Sequence, residues 1–127
     1  MATYPTHRTE PYFSLVREGK KSIEVRLNRG KFKEMKPGDL IEVQNNEETD
    51  QYLVKIIDIR KYRDSNEMFE NEDFKIVNPN ASTIEETISG IREFYSREDE
   101  KKHGINAIEV QVVTVDKFGI LKVTLNS

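Results

Sequence analysis

The sequence predicts one α+β domain in which short strands and short helices follow each other. Segments in which every second residue is apolar, such as 23–27, indicate strands with one buried face. Segments that begin at Ser or Thr and carry apolar residues three or four apart, such as 83–94, indicate short helices. The 127 residues contain no internal repeat and no linker, so we expect a single domain over 1–127.

The first elements are a helix and a strand. Thr9 is expected to cap the helix, with Pro11 in its first turn, and Gly19 is expected to end it. In the strand that follows, Ile23, Val25 and Leu27 alternate with polar residues, so this apolar set faces a core. The residues before Thr9 are expected to form a frayed terminus.

Two further strands come before the middle of the chain. Residues 36–39, Lys-Pro-Gly-Asp, predict a turn in which Pro presets φ, Gly supplies positive φ and Asp39 stabilises the bend. The next strand is expected at 40–43. Residues 51–62 predict a longer strand with a bulge or twist in its middle.

Three helices are predicted in the second half. Ser65 is expected to cap a short one. Residues 82–85, Ser-Thr-Ile-Glu, fit a capping box for the helix over 83–94. The expected buried stripe of that helix is Ile84, Ile88 and Ile91. A third helix is expected to start after Ser96 and to end at Gly104.

The chain then predicts two strands, at 107–113 and within the tail 115–125. The apolar residues of the tail need a surface that covers them. They can extend the sheet, or they can pair with a second copy of the chain, which gives a possible homodimer through residues 115–125.

The stretch 19–26 places Lys21, Glu24 and Arg26 at fixed spacing where the first helix gives way to a strand. Glu24 and Arg26 share the strand face opposite the apolar residues, about 6.5–7 Å apart. Arginine and lysine can hold a phosphate or a carbonyl oxygen, and Glu24 can bind an exocyclic amine or act as a general base. The alternative is a structural ion pair in which Glu24 and Arg26 neutralise each other.

Three other residues are candidate ligand contacts. Arg29, in the loop after the strand, can reach a phosphate backbone; Tyr95 can stack on a base; and Arg97 can pair with a phosphate. The simpler alternatives are a solvated loop charge for Arg29 and a core position for Tyr95. His103 precedes Gly104 in the last helical turn, where a cation favours a capping role.

The pattern Gly19-x-Lys21-x-x-Glu24-x-Arg26, followed by Pro-Gly-Asp-Leu-Ile at 37–41, resembles the signature of the ASCH family, the activating-signal-cointegrator homology domains. A second match, Phe-Tyr-Ser-Arg-Glu-Asp-Glu-Lys-Lys-His-Gly at 94–104 followed by Ala-Ile-Glu-Val at 107–110, resembles the end of small bacterial members. The resemblance covers about residues 8–113 and leaves 114–127 as a C-terminal extension.

The resemblance implies a PUA-like mixed β-barrel with short helices flanking its openings and a cleft lined by the motif. Such domains are thought to bind RNA or modified nucleosides. Some members are hydrolases: one branch deacetylates N4-acetylcytidine, and another is described as a ribonuclease. In the deacetylating branch the motif reads Lys-x-x-Thr, with the threonine as nucleophile and a distant glutamate assisting. Here Glu24 follows Lys21 at the threonine position, which removes the hydroxyl nucleophile and leaves a carboxylate that can activate water.

We therefore expect an RNA- or nucleotide-binding domain whose ligand contacts are Lys21, Glu24, Arg26, Arg29, Tyr95 and Arg97. The alternative is a hydrolase acting on a modified nucleoside or on RNA, with Lys21 and Glu24 as catalytic residues. The expected partner is single-stranded RNA, a nucleotide or a nucleoside.

Charge distribution agrees with a small or single-stranded anionic ligand better than with duplex DNA. The net charge is −3, but residues 17–36 carry eight Lys or Arg against three acids, whereas residues 64–103 carry eleven acids against five bases. A basic segment on an acidic chain suits a compact anion, although solvated surface charge is the simpler explanation for any one residue outside the motif.

Several classes are disfavoured by composition. The chain has no cysteine, and its two histidines, His7 and His103, lack metal-ligand spacing, so we expect no disulfide, metal or cofactor. No apolar run is long enough for a membrane helix, and the first residues do not form a signal peptide. The expectation is a soluble cytoplasmic protein without membrane contact.

Overall fold

Six strands form one curled sheet in the computed structural model, which describes residues 1–115 and 121–123. The strands are β1 (Thr3–His7), β2 (Ile23–Leu27), β3 (Leu40–Gln44), β4 (Gln51–Tyr62), β5 (Ile105–Val115) and β6 (Leu121–Val123). The helices are α1 (Tyr12–Arg17), α2 (Lys31–Glu34), α3 (Ser65–Asn71), α4 (Phe74–Val77), α5 (Ile84–Arg92) and α6 (Arg97–His103). The predicted α+β class is confirmed.

The sheet is a half-barrel with the strand order β1-β3-β4-β5-β2, and β6 pairs with the far end of β5. β1 runs parallel to β3, and every other pair is antiparallel. The two edge strands, β1 and β2, approach each other. Nη2 of Arg26 on β2 donates a hydrogen bond to the carbonyl of His7 on β1 at 3.3 Å. Side chains close the barrel between β1 and β2. We call this line of contact the seam.

Two apolar cores lie on opposite sides of the sheet. Inside the half-barrel, Phe13 and Val16 of α1 pack with Met35 and with strand residues such as Ile108. Outside it, strand residues pack under α3, α4 and α5; this second core comprises Ile23, Val25, Met68, Val77, Ile91, Ile105 and Ala107. Since Ile23 and Val25 face the outer core, Glu24 and Arg26 point into the half-barrel. The expectation of a half-buried β2 was wrong: both of its faces are covered.

The strand predictions for the middle of the chain are confirmed. β3 starts at Leu40 and β4 spans Gln51–Tyr62, with a register shift between Ile56 and Asp58 where a bulge was expected. The turn before β3 forms as predicted, and a carboxylate oxygen of Asp39 accepts the Lys36 N–H at 3.0 Å. The expected frayed terminus is instead the edge strand β1.

The starts of α1, α3, α5 and α6 were predicted to within two residues, although three of these helices have other caps than expected, and α2 and α4 were not predicted. Asp64, not Ser65, caps α3, since its side chain accepts the Glu67 N–H at 2.9 Å. Thr9 provides no side-chain cap for α1. Ser96 and Gly104 bound α6 as expected.

The capping box of α5 is shifted by one residue from its predicted position, so that Thr83 rather than Ser82 is the N-cap. Thr83 accepts the Glu86 N–H, and the Glu86 carboxylate reaches back to the Ser82 N–H. The predicted isoleucine stripe was partly wrong, because the buried residues of α5 are Thr87 and Ile91, while Ile84 is exposed.

The tail prediction is confirmed in part. β6 extends the sheet by pairing with residues 113–115 of β5. Residues 116–120 and 124–127 lie outside the described residues, and they include most of the tail. The homodimer through residues 115–125 therefore stays a prediction. In the described part of the chain, no helix combines the length and apolarity needed to cross a membrane.

Candidate functional site

A buried cluster of four charges forms at the seam. The Glu24 carboxylate lies 2.9 Å from Nε of Arg8, 3.5 Å from Nζ of Lys21 and 3.6 Å from Nη2 of Arg26. Glu24 is only 9% exposed and Lys21 only 2%. The three motif residues that were expected to line a site do converge. With one carboxylate against three cations, the cluster carries a net charge of +2.

Lys21 owes its position to the end of α1. Gly19 adopts a φ of +75°, which turns the chain so that the N–H groups of Lys20 and Lys21 both donate to the carbonyl of Leu15. The Lys21 side chain then runs inward, and its Nζ donates to the carbonyls of Ile23 at 2.6 Å and Val77 at 2.5 Å. This lysine joins β2 to α4 as well as to Glu24.

The cluster shifts the pKa values of its members in different directions. Burial alone would raise the pKa of Glu24, but Arg8, Lys21 and Arg26 outweigh it and lower that pKa to about 2. Burial lowers the pKa of Lys21 to about 8, even though Glu24 acts in the opposite sense. At neutral pH Glu24 is ionised, and Lys21 loses its proton more readily than an exposed lysine.

A narrow cleft opens above this cluster, between α1, α4 and the C-terminal end of α5. Its polar wall consists of Arg8, Lys21 and Asn78, and its aromatic wall of Tyr12, Phe94 and Tyr95. The rings of Tyr12 and Phe94 meet edge to face, with centroids 6.4 Å apart. The Arg8 guanidinium lies 4.6 Å from the Tyr12 centroid and 5.7 Å from that of Phe94. Phe94 remains 47% exposed at the rim.

A second small cavity lies inside the half-barrel, below the cleft. Thr6, Glu24, Arg26 and Phe32 border it together with apolar strand residues. The Arg26 guanidinium lies 5.0 Å from the centroid of the Phe32 ring. Arg8 borders both cavities and so forms the partition between them.

The remaining predicted contacts are scattered. Tyr95 packs against the outer core, as the simpler alternative predicted, and it also lines the cleft; its stacking on a base stays a prediction. Arg29 is exposed and borders neither cavity. Arg97 is exposed and lies in a separate groove on the other side of α5.

Sequence reasoning missed Arg8 and Phe94. Arg8 follows the unpredicted strand β1 and contacts Glu24 only because the sheet curls. Phe94 stood in the C-terminal match next to Tyr95, and its position beyond the end of an amphipathic helix was a usable signal. Within the described residues, no three His, Asp or Glu side chains are placed to hold a metal ion.

The half-barrel with helices at its openings and a charged cluster under a cleft defines a PUA-like domain. The ASCH domain family matches residues 7–114, and the chain belongs to that family. No curated protein matches the chain.

Solved structures agree with this assignment. The crystal structure of hypothetical protein PH0355 is 37% identical, with a TM-score of 0.77, and the match covers 87% of this chain and 98% of that one. Protein PF0455 from Pyrococcus furiosus, solved by NMR, is 34% identical, with a TM-score of 0.70 and coverages of 87% and 96%. An ASCH domain from Lactobacillus crispatus JV V101 is 16% identical, with a TM-score of 0.67 and coverages of 87% and 79%; it shows the shared fold alone.

Proposed function

We propose that the cleft binds a nucleobase of single-stranded RNA or of a nucleotide. The observation that carries this proposal is the aromatic wall of Tyr12, Phe94 and Tyr95, which lies next to a buried cluster of net charge +2. PUA-like folds are generally linked to RNA binding, which supports the same class of ligand. A planar, apolar ligand with an anionic group matches both parts of the cleft.

Stacking is the first part of the proposed interaction. Phe94 is exposed at the rim, whereas Tyr12 is half-buried between Arg8 and α5, so the ring of Phe94 is the more accessible of the two. Stacking of a base on an aromatic side chain is worth about 1–3 kcal/mol and tolerates any base.

Charge is the second part. Nζ of Lys21 already donates hydrogen bonds to two backbone carbonyls. It therefore attracts an anionic ligand through its positive charge more than through new hydrogen bonds. The Arg8 guanidinium forms one ion pair through Nε, and its two Nη groups make no hydrogen bond with the described residues. Arg8 is therefore the cation of the cluster best suited to donate to a phosphate or a base carbonyl.

The test is calorimetric binding of nucleoside monophosphates and of a ten-nucleotide RNA. We expect Phe94→Ala to weaken binding about tenfold, because one stacking surface is lost. Ile84→Ala is the matched control, since Ile84 is an exposed apolar residue at the opposite end of α5 and borders no part of the cleft. Equal affinities of wild type and Phe94→Ala would refute the proposal.

Hydrolysis of a modified nucleoside or of RNA is a second candidate, and the lowered pKa of Lys21 favours it. A group with a pKa near 8 can exchange a proton near neutral pH, as a general acid or base must. Glu24 suits the base role less well, since three cations hold its pKa near 2. In this reaction the neutral form of Lys21 takes a proton from the attacking water and gives it to the leaving group, while Glu24 holds Lys21 and Arg8 in place.

Mass spectrometry of acetylated nucleosides and short RNAs incubated with the protein tests this candidate. Substrate loss is expected with wild type and not with Lys21→Met, while Lys21→Met still binds the substrate. Unchanged substrate with the wild-type protein would exclude turnover and leave the binding proposal untouched. A Glu24→Gln protein that remains folded and active would show that Glu24 is not the base.

A further inference from the structure

A wide groove lies on the other side of α5 from the cleft, between α3, α6 and the end of β4. Its volume is about 910 Å³, against about 30 Å³ for the cleft. Six Lys or Arg side chains border it: Lys61, Arg63, Arg92, Arg97, Lys101 and Lys102. Only three carboxylates do so. This is unexpected, because residues 64–103 are acidic in sequence.

The three carboxylates of the groove are already engaged by the protein. Asp64 caps α3, and Glu67 accepts from both the backbone N–H and the guanidinium of Arg63. Glu100 is 1% exposed and accepts from Ser65 and Arg92. The cations left over make no ion pair or side-chain hydrogen bond with the described residues. They are Lys61, Arg97, Lys101 and Lys102.

The helix dipole does not account for all of these cations. Lys101 and Lys102 lie in the last turn of α6, where positive charge is favourable. Arg97 lies in the first turn of that helix, where positive charge is unfavourable, and Lys61 lies on a strand. Their presence on the same groove points to an anionic ligand.

At the C-terminal end of α5, residues that are neighbours in the chain border the cleft on one side and the groove on the other. Ile91 borders the cleft, and the next residue, Arg92, borders the groove. Tyr95 likewise borders the cleft, and Arg97 borders the groove. The Cα atoms of these two residues can lie at most about 7 Å apart, because only one residue separates them. Along its other flank the cleft continues into a shallow surface that carries Glu85, Glu86 and Glu93. A polyanion leaving the cleft is repelled there and attracted toward Arg97.

We infer that the ligand is a single-stranded nucleic acid several nucleotides long, with one base in the cleft and its flanking phosphates in the groove. This inference rests on the proposed function of the cleft and selects a polymer over a free nucleotide. Arg97, Lys101 and Lys102 contact phosphates and add affinity that is independent of sequence.

The experiment compares uridine monophosphate with a ten-nucleotide oligouridine, each titrated into the full chain at several salt concentrations. The groove variant is the triple substitution Arg97→Gln, Lys101→Gln and Lys102→Gln. The matched control removes the same charge from exposed lysines that border neither the cleft nor the groove: Lys33→Gln, Lys36→Gln and Lys55→Gln.

We expect the groove variant to bind the oligonucleotide at least tenfold more weakly and to lower the log–log salt slope by about 2, while its affinity for the monophosphate is unchanged. The control triple should change neither affinity by more than about twofold. Equal losses of oligonucleotide affinity in both triple variants would show that only the net charge of the protein matters, and this result would overturn the inference.

The two proposals fail in different ways. Oligonucleotide binding that survives in the groove variant, together with a tenfold loss in Phe94→Ala, would overturn the groove and leave the cleft. Oligonucleotide binding that is lost in the groove variant and unchanged in Phe94→Ala would overturn the cleft and, with it, the continuous path. Absence of binding of either probe to the wild-type chain would overturn both.

Discussion

Glu24 is the one anion among three cations in the buried cluster, so its charge holds together groups that would otherwise repel each other. Glu24→Gln keeps the shape of the side chain and removes that charge. Because an uncompensated buried charge is costly, we expect the free energy of unfolding to fall by about 3–5 kcal/mol. Urea denaturation measures it. Glu18→Gln, an exposed carboxylate beside Lys20, is the control and should cost less than about 1 kcal/mol.

The same carboxylate should make stability depend on pH in a defined window. Its pKa is about 2 in the folded protein and near the usual value of 4.5 in the unfolded chain. Between these values the unfolded chain binds more protons, so stability falls as the pH falls. The difference in unfolding free energy between wild type and Glu24→Gln should shrink as the pH falls from about 4.5 toward 2. A difference that stays constant over that window would show that Glu24 is not held ionised.

The relative positions of the three motif residues could be predicted from the sequence, because these residues lie within six positions of one another. The period of a strand put Glu24 and Arg26 on one face, and the Gly19 turn put Lys21 beside them. Arg8 was not predictable in this way. It lies sixteen positions from Glu24, and nothing in its own neighbourhood signals a pairing that only the curled sheet creates.

Gly104 ends α6 at a point where the end of β4 lies close to the backbone. It terminates α6 with a φ of +76°, and a Cβ at this position would lie 3.1 Å from the carbonyl oxygen of Tyr62 at the end of β4. Gly104→Ala therefore combines backbone strain with a contact that β4 must relieve, and we expect a loss of about 1–3 kcal/mol in unfolding free energy.

Gly30→Ala is the matched control for that substitution. Gly30 also has positive φ, at +57°, but a Cβ there meets nothing within 4 Å. Thermal and urea unfolding should show a smaller loss than for Gly104→Ala. If the two variants lose the same stability, backbone strain alone explains both and the approach of β4 has no energetic role.

Helices and strands were predicted where local rules decide them, and missed where tertiary contact decides. Ser96, Gly104 and the bulge in β4 follow local chemistry. Glu100 stands directly before Lys101 and Lys102 in the sequence, and no local feature distinguishes it from a solvated charge. It is in fact buried, accepting from the Ser65 N–H and hydroxyl at 2.9 and 2.6 Å. A contact between positions 35 apart leaves no periodic trace in the sequence.

At the scale of the whole molecule, the sheet is an incomplete barrel, and this could be expected only from the family resemblance. The alternation of apolar and polar residues within a strand predicts which side chains share a face, but it does not predict how strongly the sheet curls. The curl brings β1 toward β2 without making them neighbours in the sheet. The seam therefore depends on Arg8, Glu24 and Arg26, and the candidate site also holds the barrel closed.

If this is correct, loosening the seam should open the molecule locally before it unfolds globally. In Arg8→Met we expect faster hydrogen exchange at the amides of β1 and β2, because these edge strands lose an ion pair that joins them. The amides of β4 and β5 are central in the sheet and should keep their protection relative to global stability. Exchange measured residue by residue by NMR distinguishes the two groups.

Arg17→Met provides the control for this experiment, since Arg17 also pairs with one carboxylate, that of Asp50, and lies about 5 Å from two aromatic rings. It lies away from the seam, so its loss should leave the ratio of edge-strand to central-strand exchange unchanged. Uniform acceleration across all strands in Arg8→Met would instead mean that the half-barrel opens as one cooperative unit. The charged cluster would then stabilise the fold as a whole rather than hold its edges together.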